Sequence, residues 1–223
     1  MAVRLSVPPV GKAVRDLSTG RGSRLLKRTL DVVLAAVLLV VTAPLLVALA
    51  VVVRATSPGP AFFRQRRIGR HGRVFTILKV RTMVADAEAM LIRDTGLQTT
   101  YTSYNFKVPP ELDRRLTNVG RVIRRASLDE LPQLINVLRG DMSMVGPRPV
   151  VPDELETYGE IAPLYLNVRP GITGWWQVQG RSNVTGQDRV ELDRHYLENW
   201  SLWLDVKILF LTLPAVFRCR GAH

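Results

Sequence analysis

Twenty-two consecutive residues without a charge, Val32 to Val53, constrain this chain more than any other feature. The run reads VVLAAVLLVVTAPLLVALAVVV, and Thr42 is its only polar side chain. About 20 apolar residues suffice to cross the hydrocarbon core of a bilayer as a helix. A buried helix of a water-soluble domain normally keeps a polar stripe, and this segment has none. A cleavable signal peptide fits poorly, because the run exceeds the usual apolar region and lacks a small-x-small site followed by a mature start. The segment is therefore expected to insert into a membrane.

The surrounding charge bears on how it inserts. The chain has 223 residues and a formal net charge of +12. Residues 1–31 carry seven Lys/Arg and two acids, residues 54–85 carry eight Lys/Arg and no acid, and residues 86–223 carry 16 against 17. The excess thus forms two collars around the apolar run. Basic residues favour the cytoplasmic side of a membrane. Arg21, Arg24, Lys27 and Arg28 precede the run, while Arg54, Arg64, Arg66 and Arg67 follow it. A spanning helix places one collar on the wrong side. Pro44, near the midpoint, lacks an N–H and kinks a helix, and Thr42 can bond a freed carbonyl. These features favour a re-entrant helix over residues 27–56, broken at Thr42-Ala43-Pro44, over a kinked spanning helix. Residues 1–26 read as a mobile basic leader and residues 57–218 as the folded domain.

The partition also argues against nucleic acid as a partner, since the domain beyond residue 85 is balanced and carries no DNA- or RNA-binding signature. With 47% hydrophobic residues the chain is not a disordered basic tail. A lone Cys219 excludes an intrachain disulfide and a cysteine-based zinc site.

The domain reads as α+β, a compact mix of helices and strands. Ala61–Phe63 and Val74–Leu78 suggest strands joined around Gly69–Gly72. Residues 83–93, 128–138, 153–166 and 187–199 suggest helices, residues 94–110 a loop, and Trp175–Val178 a short strand. The run 200–217 is apolar but holds Asp205, Lys207 and Pro214. It reads equally as an interfacial amphipathic helix, with Trp200, Trp203 and Phe210 suited to a membrane surface, and as a buried helix.

Chemistry concentrates at Arg124-Arg125-Ala126-Ser127-Leu128-Asp129-Glu130. Ser127 and Glu130 match a capping box, the commoner meaning of such a pattern. The alternative is catalytic: two adjacent carboxylates at a helix N-terminus, where phosphate also binds, supply a nucleophile and a Mg²⁺ ligand. Arg148, fixed between two prolines, suits a phosphate clamp as well as a plain surface loop. Lys79 and Arg81 alternate along one strand face and suit phosphates or lipid head groups. Asp193 and Tyr196 share a helix face. Trp175 and Trp176 suit base stacking or core packing.

Taken in series, these segments resemble one family closely. They are Lys27-Arg28-x-x-Asp31, Gly59-Pro60-x-Phe62-Phe63-x-Gln65-x-Arg67-x-Gly69, Phe75-x-Ile77-x-Lys79-x-Arg81-Thr82-Met83 and Ser127 through Ser143. Val145-Gly146-Pro147-Arg148-Pro149, Arg169 through Gly174, Gln177-Val178-x-Gly180-Arg181, Glu191-Leu192-Asp193-x-x-Tyr196 and Asn199-x-Ser201 through Ile208 complete the set. The series is similar to the bacterial sugar transferases, the monotopic phosphoglycosyl transferases, in a short core form. That resemblance implies transfer of a phosphosugar from a UDP-sugar to a polyprenyl (undecaprenyl) phosphate, with UMP released, at the start of surface-glycan synthesis. It implies Asp129 as nucleophile, Glu130 as its partner associated with Mg²⁺, and Lys79, Arg124, Arg148, Asp193, Asp205 and Arg181 as site residues, to which the strand reading adds Arg81. It also implies a domain resting on the cytoplasmic face of a bacterial inner membrane, with a re-entrant helix and interfacial helices. Two departures stand out. Ala43 replaces a serine common at the helix break, and Asp113-Arg114-Arg115 replaces Asp-Pro-Arg. The rival reading from another class is a non-catalytic membrane-surface adaptor that uses the same hairpin and collars.

Overall fold

The computed structural model describes residues 20–104, 108–109, 111–179 and 186–217. The leader up to residue 19 and Arg181 lie outside the described residues. Helix α1 runs from Arg21 to Thr56, 36 residues or about 54 Å, and is helical through Pro44. Thr42 Oγ1 donates to Leu38 O at 2.7 Å. Pro44 instead frees the carbonyl of Val40, so Thr42 does not repair that gap and acts only within the preceding turn.

One face of α1 packs on the domain from end to end. Asp31, Ala35, Leu46 and Val53 are buried, while Val33, Val37, Val40, Val41, Val47 and Val51 are exposed. The spacing is that of a helix with one covered stripe, except that here the uncovered side is apolar. Strands β1 (Phe62–Ile68) and β2 (Val74–Val80) form an antiparallel hairpin, with Phe62 opposite Val80 and Ile68 opposite Val74. Both are longer than expected. Helix α2 (Ala87–Arg93) starts four residues late, and the expected loop contains helix α3 (Thr95–Ser103). Asp94 caps α3 by accepting from Leu97 N at 3.0 Å. A further helix, α4 (Asn118–Arg125), is capped by Thr117. It packs Ile123 against Val53 and Val80.

Helix α5 (Gln133–Arg139) ends at Gly140, as expected. Strand β3 (Ser143–Val145) pairs in parallel with β4 (Gly171–Thr173). A Cβ at Gly146, Gly171 or Gly174 would run into the backbone of the facing segment. Those three glycines therefore let two motif segments touch main chain to main chain. Short helices α6 (Pro152–Leu155) and α7 (Ala162–Leu166) flank a 3-10 stretch. The expected strand at Trp175–Val178 is helix α8 (Trp175–Gln179), followed by α9 (Gly186–Glu198) and α10 (Leu202–Phe217). The core gathers Ile68, Ile77, Val137, Met142, Tyr165 and Ile208 between these elements.

The base of α1 is threaded into the domain by polar contacts. Lys27 Nζ reaches Asp205 Oδ2 at 2.6 Å and donates to Val145 O at 3.1 Å. Arg28 donates to Val137 O at 2.8 Å and Leu138 O at 3.2 Å, closing the end of α5. Asp31 accepts from Ser143 Oγ at 2.8 Å and from Met144 N at 3.0 Å. Asp205 also accepts from Tyr196 Oη at 2.8 Å and Trp200 Nε1 at 3.2 Å. Asp205→Ala leaves three buried or half-buried donors without their acceptor. It is expected to cost about 3 kcal/mol, read as a lowered thermal unfolding midpoint in detergent, with Asp205→Asn milder.

Candidate active site

The carboxylate pair sits on a short 3-10 turn, Leu128–Glu130, between α4 and α5. The expected capping box does not form. Ser127 has φ 56° in the left-handed region, and its side chain caps nothing. Pro132 precedes α5 instead. The turn splits the two acids: the Asp129 side chain is 7% exposed and that of Glu130 35%. Lys79 Nζ meets both, at 3.0 Å from Glu130 Oε1 and 3.7 Å from Asp129 Oδ2. Burial pushes the Asp129 carboxyl above its ordinary range; Lys79 and Arg124 oppose that, and Glu130 adds to it.

Asn136, which lies within the Ser127–Ser143 block but carries no assigned role there, fixes this geometry. Its amide donates to Thr76 O at 2.8 Å and accepts from Leu78 N at 3.0 Å, extending the edge of β2 as a strand would. The strand that carries Lys79 is thereby tied to the helix that follows Asp129 and Glu130. A fully buried amide at 0% exposure must find such partners, but no sequence pattern names them in advance.

Arg124 stands beside this pair. Its Nη1 lies 3.7 Å from Asp113 Oδ2, and Asp129 and Asp113 both offset the burial that lowers its pKa. Asp113 also takes Arg115 in a two-pronged contact, 2.8 Å on each arm. The extra Arg114 is exposed, so the pairing survives the departure from Asp-Pro-Arg. Arg148 lies within electrostatic reach of Arg124, Arg67 and Asp193, with its guanidinium 5.8 Å from the centre of the Trp176 ring. The structure therefore brings Lys79, Arg124, Asp129, Glu130, Arg148 and Asp193 into one connected neighbourhood.

Two predicted site residues turn elsewhere. Arg81, just past β2, donates to Pro58 O at 2.6 Å, to Ser57 O at 2.8 Å and to Ser57 Oγ at 2.7 Å. It ties down the C-terminal end of α1. Asp205 sits at the opposite end of α1 on Lys27. Trp176 is buried, whereas Trp175 packs beside His195 and under Lys207. An open groove of about 470 Å³, lined by Trp175, Gln179, Asp188, Glu191, Leu192 and His195, holds neither Asp129 nor Glu130.

Asp193 is fully buried and accepts from Tyr158 Oη at 2.7 Å. Burial raises its pKa to about 7, with Tyr158 and Arg189 opposing. A folded-state pKa above the unfolded value of about 3.9 means that the native state holds the proton more tightly. That contribution is complete below about pH 4 and is lost as pH rises through about 7. Asp193→Asn keeps an acceptor for Tyr158 and removes the titration. Its unfolding midpoint is expected to vary less between about pH 4 and 7 and to exceed the parent's above pH 7.

Comparison with known proteins identifies the lineage. A family model described as bacterial sugar transferase matches residues 22–219. Undecaprenyl-phosphate galactose phosphotransferase of Salmonella typhimurium is 45% identical over 206 residues, 91% of this chain and 43% of that protein. Exopolysaccharide production protein ExoY of Rhizobium meliloti is 44% identical over 198 residues, 88% of each chain. UDP-glucose:undecaprenyl-phosphate glucose-1-phosphate transferase of Escherichia coli is 41% identical over 209 residues, 90% of this chain and 42% of that one. The chain thus spans less than half the length of the first and third relatives and most of ExoY. With its described fold and acidic pair, the chain belongs to the bacterial sugar transferase family.

Proposed function

We propose that this chain is a membrane-bound phosphoglycosyl transferase that moves a phosphosugar from a UDP-sugar to a polyprenyl phosphate, as the first membrane step of an exopolysaccharide-type glycan. The observation that carries this reading is the unequal acidic pair on Lys79. A buried carboxylate held beside a lysine suits a nucleophile, and a half-exposed neighbour suits contact with substrate. The names of the relatives, which include undecaprenyl-phosphate sugar phosphotransferases, point the same way.

In this scheme an Asp129 carboxylate oxygen attacks the β-phosphorus of the UDP-sugar. The bond from that phosphorus to the bridging oxygen breaks, and UMP leaves with the electron pair. The phosphosugar remains on Asp129 as an acyl phosphate. An oxygen of the polyprenyl phosphate then attacks the same phosphorus, which frees Asp129 and forms the diphosphate-linked product. A covalent step lets one site serve two anionic substrates in turn. Lys79 favours the charged form of Asp129, and Arg124 and Arg148 offer guanidiniums to phosphate.

Among the described residues no cluster of three or more His, Cys, Asp or Glu could hold a metal ion by itself. Magnesium commonly uses one or two carboxylates, with substrate phosphates and waters completing its shell, and Glu130 beside Asp129 fits that pattern. Glu130 would hold the ion, which would supply charge neutralisation on the leaving phosphate.

The catalytic test is a panel of UDP-sugars with the purified chain. The parent releases UMP and carries a labelled phosphosugar, whereas Asp129→Asn loses both by about 10³-fold or more. Transfer by Asp129→Asn at the parent's rate would sink the nucleophile assignment. Absence of turnover with every sugar nucleotide would favour the adaptor reading.

The same proposal places both collars on the cytoplasmic face, with α1 entering and leaving by one leaflet. A spanning helix separates its ends by about 30 Å of hydrocarbon. Here Lys27 at one end and Ser57 at the other both bond the same domain, which supports a common side. Single cysteines before Arg28 and after Arg54, in sealed vesicles, are expected to react with an impermeant reagent from the same side. Labelling from opposite sides would overturn the re-entrant topology.

A further inference from the structure

Outside the acidic pair, the strongest unexplained feature is a cluster of arginines at the base of α1. Arg67, Arg115, Arg124 and Arg189 each face a carboxylate of Asp113 or Glu154 within 4.0 Å. Arg24, Arg28, Arg70, Arg73 and Arg169 have no such ion pair among the described residues. They come from three separate parts of the chain and converge. Arg28 bonds Val137 O and Leu138 O, and Arg169 bonds Gly140 O, just past the end of α5, at 2.8 Å. Arg28 Nη2 lies 3.5 Å from where a Gly140 Cβ would be. Arg70 donates its Nε to Asn167 O at 2.9 Å, two residues before Arg169.

The turn after β1 is built to present this charge. Gly69 N bonds Arg73 O at 2.8 Å, and His71 and Gly72 both have positive φ, at 59° and 69°. A left-handed histidine is unusual for an L residue, and it sits between Arg70 and Arg73. Their crowding is felt electrostatically. Burial is the larger cause that lowers the His71 pKa, and Arg70, Arg169 and Arg73 all push it the same way. Burial, Arg169 and Arg24 likewise lower Arg70. Carbonyls at the C-terminal end of α5 offset part of this repulsion but use only some of the guanidinium N–H groups. Asp31, the one acid acting on Arg28, is already taken by Ser143 and Met144.

We propose that Arg28, Arg70 and Arg169, with Arg24 and Arg73 at the rim, form a binding site for the phosphate of an anionic lipid head group, separate from the Asp129–Glu130 site. Arg24 and Arg28 lie one helical turn apart on one face and immediately precede the uncharged Val32–Val53 run. A phosphate in the cluster therefore sits at the level where α1 enters hydrocarbon, which is head-group depth. The inference rests on the reading of α1 as a membrane helix. Fork-shaped guanidiniums with free N–H groups match phosphate oxygens in more than one orientation.

The test uses the full chain in a neutral detergent. Its thermal unfolding midpoint is titrated with phosphatidylglycerol, a polyprenyl phosphate, phosphatidylcholine and inorganic phosphate. The expected result is saturable stabilisation by at least one anionic lipid, weakened by salt and absent with phosphatidylcholine. Saturation by both anionic lipids identifies a general phosphate head-group site; saturation by polyprenyl phosphate alone, unchanged in the double variants below, is acceptor binding at the Asp129–Glu130 site and overturns the separate site. Each arginine removed is expected to raise the half-saturating lipid concentration about fivefold. Arg70→Gln with Arg169→Gln tests the floor of the site. Arg24→Gln with Arg73→Gln tests the rim, where both side chains are exposed and folding is not at risk. Equal stabilisation by phosphatidylcholine, an unchanged titration in both double variants, or saturation by inorganic phosphate at the same concentration would overturn the lipid site. If no lipid of any charge alters the midpoint, the lipid site fails, whereas the membrane reading of α1 stands or falls on the cysteine labelling, which separates the two claims.

Discussion

Everything in this structure depends on how a charged base is held beneath an apolar helix. Lys27 and Asp31 lie on the first turns of α1, and both are turned toward the domain rather than solvent. Removing such groups from water is costly unless each finds partners. Asp205, Val145 O, Ser143 and Met144 supply them. The consequence is structural: α1, a helix long and apolar enough to cross a membrane, is also a wall of the domain. Ala35 at 0% exposure and Val53 at 3% are core residues, although the run that contains them carries no polar stripe to reveal which side is covered.

The far end is secured by a different device. Arg81 gathers Ser57 and Pro58, and its backbone N bonds Ala61 O at 2.8 Å. Two residues earlier on the same chain, Lys79 meets the acidic pair. The segment Lys79–Arg81 thus connects the C-terminal end of α1 to the candidate nucleophile, with Asn136 holding the strand to α5. Small shifts of α1 at Ser57 reach Lys79 through the hydrogen bonds of Arg81 and the backbone from Arg81 to Lys79. Arg81 is in this sense a positioning residue, and the charge that suggested phosphate contact is consumed by three acceptors.

Much of this was legible from the residues. The apolar run, the β1–β2 pairing, the stop at Gly140 and the acidic pair all rest on strong local signals. The failures have physical causes. Ser127-x-x-Glu130 has the letters of a capping box, but Pro132 and the left-handed Ser127 start the helix later. Trp175–Val178 is too short for its apolar pattern to separate strand from helix; Trp176 is buried and Trp175 and Val178 are partly buried against the core. Helix α3 is rich in Thr, which usually favours turns, yet Thr99, Thr100 and Thr102 bond carbonyls four residues back. Helix α4 shows three arginines in eight residues, and its burial of Ile123 against α1 depends on a partner remote in sequence. Asn136 and Asp31 show the same limit, because their roles exist only once distant backbone arrives.

Net charge needs the same care. The collars number fifteen Lys/Arg, but several never face outward. Lys27 is taken by Asp205, Arg67 by Glu154 and Pro149 O, Arg81 by the end of α1, and Lys79 by the acidic pair. What remains exposed includes Arg24, Arg54, Arg64, Arg66 and Arg73. On β1, exposed Phe62, Arg64 and Arg66 share the strand's outer face. The charge left on the surface is therefore smaller than the sequence total and more sharply placed. The remainder is internal wiring that fixes an apolar helix to the domain carrying the acidic pair.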